Sequence, residues 1–180
     1  MKLIGYHGTS SNVAETIKKH NFKHSIHGWL GKGIYFFNED LEMAKYFPTR
    51  GNKMTPENVG VIECEIEISD DLVLDATNPL SEDMKLFHVI RTELIHNEIS
   101  KNRINAKSKS INKEKVKSDL DGIVYDILCK KEGFCLVKAN TYTYSEIERQ
   151  YEKIFFTRVP NSTELCLKDE AYIINKNRVV

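Results

Sequence analysis

The chain has 180 residues, 26 Lys+Arg against 26 Asp+Glu, and 41% hydrophobic residues. That is a single-domain length with no net charge, and it excludes a polycationic coat protein, an acidic disordered tail and a collagen-like fibre. Neutrality overall says nothing against a local basic patch, so a nucleic-acid target stays open.

In chain order, Lys2–His7 reads as a first strand ending in His-Gly-Thr. Ser10, Ser11 or Asn12 caps the helix that follows, with Val13, Ala14, Ile17 and Phe22 on its inner face. Three glycines between Gly28 and Gly33 predict a turn into the strand Ile34–Phe37. Asn38 or Asp40 opens a second helix, which stops before Pro48. Residues 61–68 alternate apolar and polar, the period of a half-buried antiparallel strand. Residues 79–100 read as a helix and 101–117 as a polar, basic loop. Strands are predicted at Gly122–Leu128, Phe134–Val137, Ile154–Phe156, Glu164–Leu167 and Tyr172–Ile174. Strands outnumber helices, and no Pro/Gly/Ser linker divides the chain. The expectation is one α+β domain over residues 1–180, with mixed or antiparallel sheets and flanking helices.

No apolar run approaches the ~20 residues of a membrane span. Met1–His7 carries no signal-peptide pattern, so a cytoplasmic chain is expected. Cys64, Cys129, Cys135 and Cys166 form no Cys-x-x-Cys pair. Cys64 and Cys166 lie in alternating apolar runs and read as reduced core residues.

Three features occur together: His7-Gly8-Thr9 closing a strand, Gly31-Lys32-Gly33-Ile34-Tyr35-Phe36 leading to Tyr46, and Glu164-Leu165-Cys166-Leu167-Lys168-Asp169. In this order they resemble the ADP-ribosyltransferases of the diphtheria-toxin and poly(ADP-ribose) polymerase type, the His-Tyr-Glu class. The resemblance runs from residue 3 to about 174, and the second motif is its most specific part. Glu170 is the alternative to Glu164 for the third element. The resemblance implies a split sandwich of mixed and antiparallel sheets with flanking helices, and NAD+ as cosubstrate without a metal.

Nicotinamide is a cationic leaving group, and its departure leaves an oxocarbenium-like ribose. Such chemistry needs a grip on the ring and negative charge beside the developing positive charge. By resemblance, His7 bonds the adenosine-side ribose, Gly8 offers backbone groups to the carboxamide, and Thr9 adds a hydroxyl near the adenosine. Tyr35 and Tyr46 sandwich the nicotinamide ring, and Glu164 stabilises the oxocarbenium ion. The implied activity is mono-ADP-ribosyl transfer, in a toxin-like or phage-defence setting that admits an antitoxin partner. NAD+ hydrolysis, or binding of NAD+ or ADP-ribose without turnover, are the alternatives.

The chain departs from the family pattern at Met43, where many members carry a small hydroxyl residue. It departs again at Ser162, where arginine-modifying members carry a second glutamate. His20, His24 and His27 have no acidic or cysteine partner nearby in sequence and read as a solvated loop rather than a metal site. Seven basic residues between Lys101 and Lys117 oppose only Glu114. As a loop this run would neutralise phosphates, favouring RNA or DNA over protein as the acceptor.

Overall fold

Strand β1 (Lys2–Ser10) passes directly into helix α1 (Ser11–Lys19), because the Ser10 side chain accepts from the backbone N–H of Val13 and caps it. The computed structural model describes residues 1–100, 120–150, 157 and 159–180. Strand β2 (Ile34–Asn38) leads to the short helix α2 (Leu41–Tyr46), capped by Asp40, whose carboxylate accepts from Met43 at 2.9 Å. Then come β3 (Val59–Glu67), β4 (Val73–Asp75), α3 (Glu82–Ser100), α4 (Leu120–Glu132), β5 (Leu136–Thr141), α5 (Glu146–Gln150), β6 (Ser162–Leu167) and β7 (Ile173–Arg178).

The seven strands form one mixed sheet in the order β4-β5-β6-β2-β1-β3-β7. Among the described residues, only the β4–β5 pair is parallel. The chain is therefore α+β with flanking helices. Hydrogen bonding joins all seven strands, where separate sheets had been expected, but the joint in the middle is narrow. β1 pairs with β3 along its whole length, from Lys2↔Glu67 to Ser10↔Val59, yet with β2 only at Gly5↔Asn38 and Tyr6↔Phe37. Beyond Tyr6 the two strands part.

Apolar side chains fill both faces. On one, Ala14 and Ile17 of α1 pack with Phe36, Ile62, Ile66, Leu165 and Leu167. On the other, Val124, Tyr125 and Leu128 of α4 pack with Leu30, Phe87, Val137 and Cys166. A smaller cluster of Phe37, Ala44, Val59 and Val61 lies beside α2.

One predicted strand is a helix. Residues Gly122–Leu128 lie inside α4, where Gly122, Val124, Tyr125, Leu128 and Cys129 are the buried positions. Their spacing follows a helix face; the β-branched residues that suggested a strand include exposed Ile123 and Ile127. β5 begins two residues later than the predicted Phe134 and runs on to Thr141. The predicted Ile154–Phe156 strand lies outside the described residues. Among the described residues, no helix is long and apolar enough to cross a membrane.

Candidate active site

The parting of β1 and β2 creates the site. His7 is the first residue past the paired pair, and its Nδ1 stands 2.7 Å from the carbonyl oxygen of Tyr35. A carbonyl only accepts, so Nδ1 carries the proton and bridges the strands where the main chains no longer meet. The imidazole edge packs against Phe22 and Phe36, with centroids at 5.3 and 6.0 Å. Burial pushes the His7 pKa down, opposed by the Tyr35 carbonyl. The favoured form is thus neutral, and its Nε2 is a hydrogen-bond acceptor suited to a hydroxyl.

Gly8 follows on the other face of β1. A Cβ there would lie 1.8 Å from the carbonyl oxygen of Ala44, so α2 sits directly on this backbone. The glycine is required by packing alone, whatever the backbone also offers a ligand.

The turn before β2 is held from several sides. Tyr35 Oη donates to the Gly31 carbonyl at 2.7 Å and accepts from the Leu30 N–H at 3.0 Å. Lys168 Nζ reaches the carbonyls of Leu30 and Lys32 at 2.8 and 2.9 Å. Asp126 of α4 accepts from the Lys32 N–H at 2.8 Å, and Ser25 and Gly33 exchange backbone bonds. A Cβ on Gly122 would fall 2.0 Å from the Gly28 carbonyl, so α4 also braces the turn. Burial pushes the Tyr35 phenol far above its ordinary pKa. Its hydroxyl is a structural tie, and its ring forms part of the wall.

Glu164 arrives from β6, opposite Phe37 of β2 and Ala139 of β5. It is 7% exposed, one of the few buried charged or polar residues described. Its Oε2 accepts from the indole N–H of Trp29 at 2.9 Å. Burial raises its pKa, while hydrogen bonds from Trp29 and Thr141 and the charge of Arg50 pull it down.

These residues share a cavity of about 470 Å³. His7, Gly8, Tyr35 and Glu164 all line it, brought together from both ends of the chain. Thr9 and Tyr46 do not line it: Thr9 pairs with Gly60 in the sheet, and Tyr46 Oη donates to the Tyr144 carbonyl at 3.1 Å. The aromatic that lines the cavity from that segment is Phe47. Glu170 lies away from the cavity, in the single turn before β7. Met43 packs beside the α2 cluster, and Ser162 Oγ donates to Asp40 at 2.8 Å, tying β6 to the start of α2.

Sequence reasoning missed Trp29, Phe47, Arg50, Thr141 and Tyr142, all on the cavity wall. Trp29, the one tryptophan of the chain, sits within the glycine-rich turn and was the detectable one. The Arg50 guanidinium lies 3.5 Å above the Phe47 ring centre, and its Nε donates to the Phe47 carbonyl at 3.2 Å. The wall therefore offers aromatic faces, the Arg50 guanidinium, the uncharged His7 imidazole with His27 at the rim, and the Glu164 carboxyl. Such a set presents both π faces and hydrogen-bonding groups to the cavity.

His20, His24 and His27 are exposed, and His27 reaches the cavity rim. Cys64 and Cys166 are fully buried, and burial pushes the Cys64 thiol up to about 12. A thiolate nucleophile there is disfavoured. The basic run at residues 101–117 lies outside the described residues. Compared with protein-family models, curated proteins and solved structures, the chain finds no match.

Proposed function

We propose that this chain is a mono-ADP-ribosyltransferase that cleaves NAD+ and passes ADP-ribose to a macromolecule. The observation that carries the reading is Glu164: a buried carboxylate on the wall of an aromatic-lined cavity that also holds His7, Gly8 and Tyr35. A carboxylate so placed is costly to bury, and active sites are where such costs are tolerated.

In the proposed reaction the bond between the ribose C1′ and the nicotinamide nitrogen breaks. The electron pair leaves with nicotinamide, which departs neutral. The acceptor's nucleophilic atom bonds to C1′ and gives up its proton to water. Glu164 faces the positive charge that grows on the ribose, an interaction stronger in the transition state than in the ground state. Neutral His7 accepts from a ribose hydroxyl, and the Tyr35 ring lies against the nicotinamide. From the segment after α2, Phe47 supplies the second aromatic face rather than Tyr46.

The acceptor is proposed to be RNA or DNA, on the strength of the basic run between Lys101 and Lys117 and of Ser162 in place of a second glutamate. A toxin or defence role with an antitoxin partner fits the same reading. The test is incubation with NAD+ labelled in the adenylate part, together with a cell lysate. Label that nuclease releases and protease does not is the expected result. Protease-sensitive label moves the acceptor to protein. Nicotinamide release without macromolecular label makes the enzyme a NAD+ glycohydrolase. No nicotinamide release from folded protein overturns the reading.

A further inference from the structure

The turn from Gly28 to Gly33 is fastened more heavily than its position on the surface requires. Tyr35 Oη, Lys168 Nζ, Asp126 and the Ser25–Gly33 bridge all hold its main chain. Leu30 is fully buried beneath it, and Gly122 leaves α4 flat against Gly28. All these ties flank one half-buried side chain, Trp29, whose indole N–H points at Glu164 Oε2 from 2.9 Å.

An indole N–H can donate to either form of the carboxyl, but its bond to an ionised oxygen is charge-assisted and the stronger of the two. It favours the carboxylate, and it fixes one oxygen of that carboxylate in place. A donor on a rigid turn does this without reorganising during a reaction. We propose that Trp29 is the positioning residue of Glu164, and that the braced turn exists to hold its N–H against the carboxylate. This rests on the ADP-ribosyltransferase reading only for its catalytic consequence; the coupling of the two side chains does not.

The titratable groups that share the cavity wall with Glu164 are Tyr6 and His7 on β1, Tyr35 on β2, His27 before the turn, Arg50 after α2 and Tyr142 after β5. Of their charges, that of Arg50 favours the carboxylate, while burial opposes it. Removing the indole donor leaves burial less opposed, so the ionised form is lost at a higher pH than in the intact protein.

Trp29 is the chain's single tryptophan, so its fluorescence reports on this contact without any assay of activity. Titrating the intact protein with acid should give a fluorescence step that Glu164→Gln abolishes; superimposable curves would overturn the coupling. In Trp29→Phe, the acid limb of nicotinamide release should move up by about one pH unit, whatever the loss of rate on the plateau. That is roughly tenfold in the ionisation equilibrium, as for a charge-assisted hydrogen bond. A loss that is uniform across pH would make Trp29 merely structural and sink the positioning role. A fluorescence step in a protein that never cleaves NAD+ would leave the coupling standing and remove the transferase reading instead.

Discussion

The cavity has two walls of different construction. His7, Gly8, Tyr35 and Glu164 stand on or beside strands of the sheet, and their polar ends are fixed by main chain or by buried donors. Phe47, Arg50 and Tyr142 stand on short turns, and their bonds are mostly local: Arg50 to the Phe47 carbonyl, Tyr142 to Glu148. Gly51 is tied to α5 through Glu146 at 2.7 Å. The strand wall is built for invariant geometry. The turn wall stands on connecting segments, although Phe47 still packs on the buried Phe37 ring at 5.3 Å.

Substitutions on the strand wall should therefore cost most. Glu164→Gln keeps the shape and the Trp29 partner but removes the charge, and nicotinamide release should fall by roughly 10²–10³. A normal rate would remove Glu164 from the chemistry. Gly8→Ala drives a methyl into the Ala44 carbonyl and should destabilise the fold by about 3 kcal/mol, read by denaturant unfolding. Tyr35→Phe leaves the Leu30 N–H and Gly31 carbonyl without the phenol, at roughly 1–3 kcal/mol.

The turn wall should respond in affinity more than in stability. Phe47→Ala should weaken NAD+ binding about tenfold, the worth of one aromatic contact with a cationic ring. Tyr46→Ala should leave it unchanged, because Tyr46 does not line the cavity. Equal losses in two folded variants would restore Tyr46 to the ring contact.

The smallest effect separates two groups within the strand wall. Burial lowers the His7 pKa, so its contribution to stability is present above the ordinary histidine value of 6.5 and is lost as pH falls through the folded value. Burial raises the Glu164 pKa, so its contribution is full below the ordinary 4.5 and is lost as pH rises through the folded value. Glu164→Gln should accordingly melt at a higher temperature than the parent near neutral pH. That advantage should shrink on acidification toward pH 4; an advantage that grows would contradict the raised pKa.

Much of the scaffold was legible because local chemistry dictates it. Ser10 caps α1 and Asp40 caps α2 through contacts three residues long, and β3 follows its period-two pattern. His7, Gly8, Tyr35 and Glu164 were nominated by motif order, and the fold brings those four to one cavity. Thr9 and Tyr46 were nominated by the same motifs and stand elsewhere. Motif spacing fixes where a residue falls along a strand or helix, not which neighbour its side chain meets.

By itself the sequence determined an α+β chain, most of the strands, the glycine-rich turn and the two or three residues among which each cap falls, each set by interactions within a few residues. It could not distinguish a strand from a helix at Gly122–Leu128, because a short apolar run satisfies both periods until its partners are known. Tertiary structure decided that: the backbone of α4 at Gly122 fits against the Gly28 carbonyl, and helical spacing buries Val124, Tyr125 and Leu128. It also decided the pairing of Trp29 with Glu164, 135 residues apart. No local propensity encodes such a contact; it exists only because β2 and β6 pair and α4 braces the turn that carries the indole.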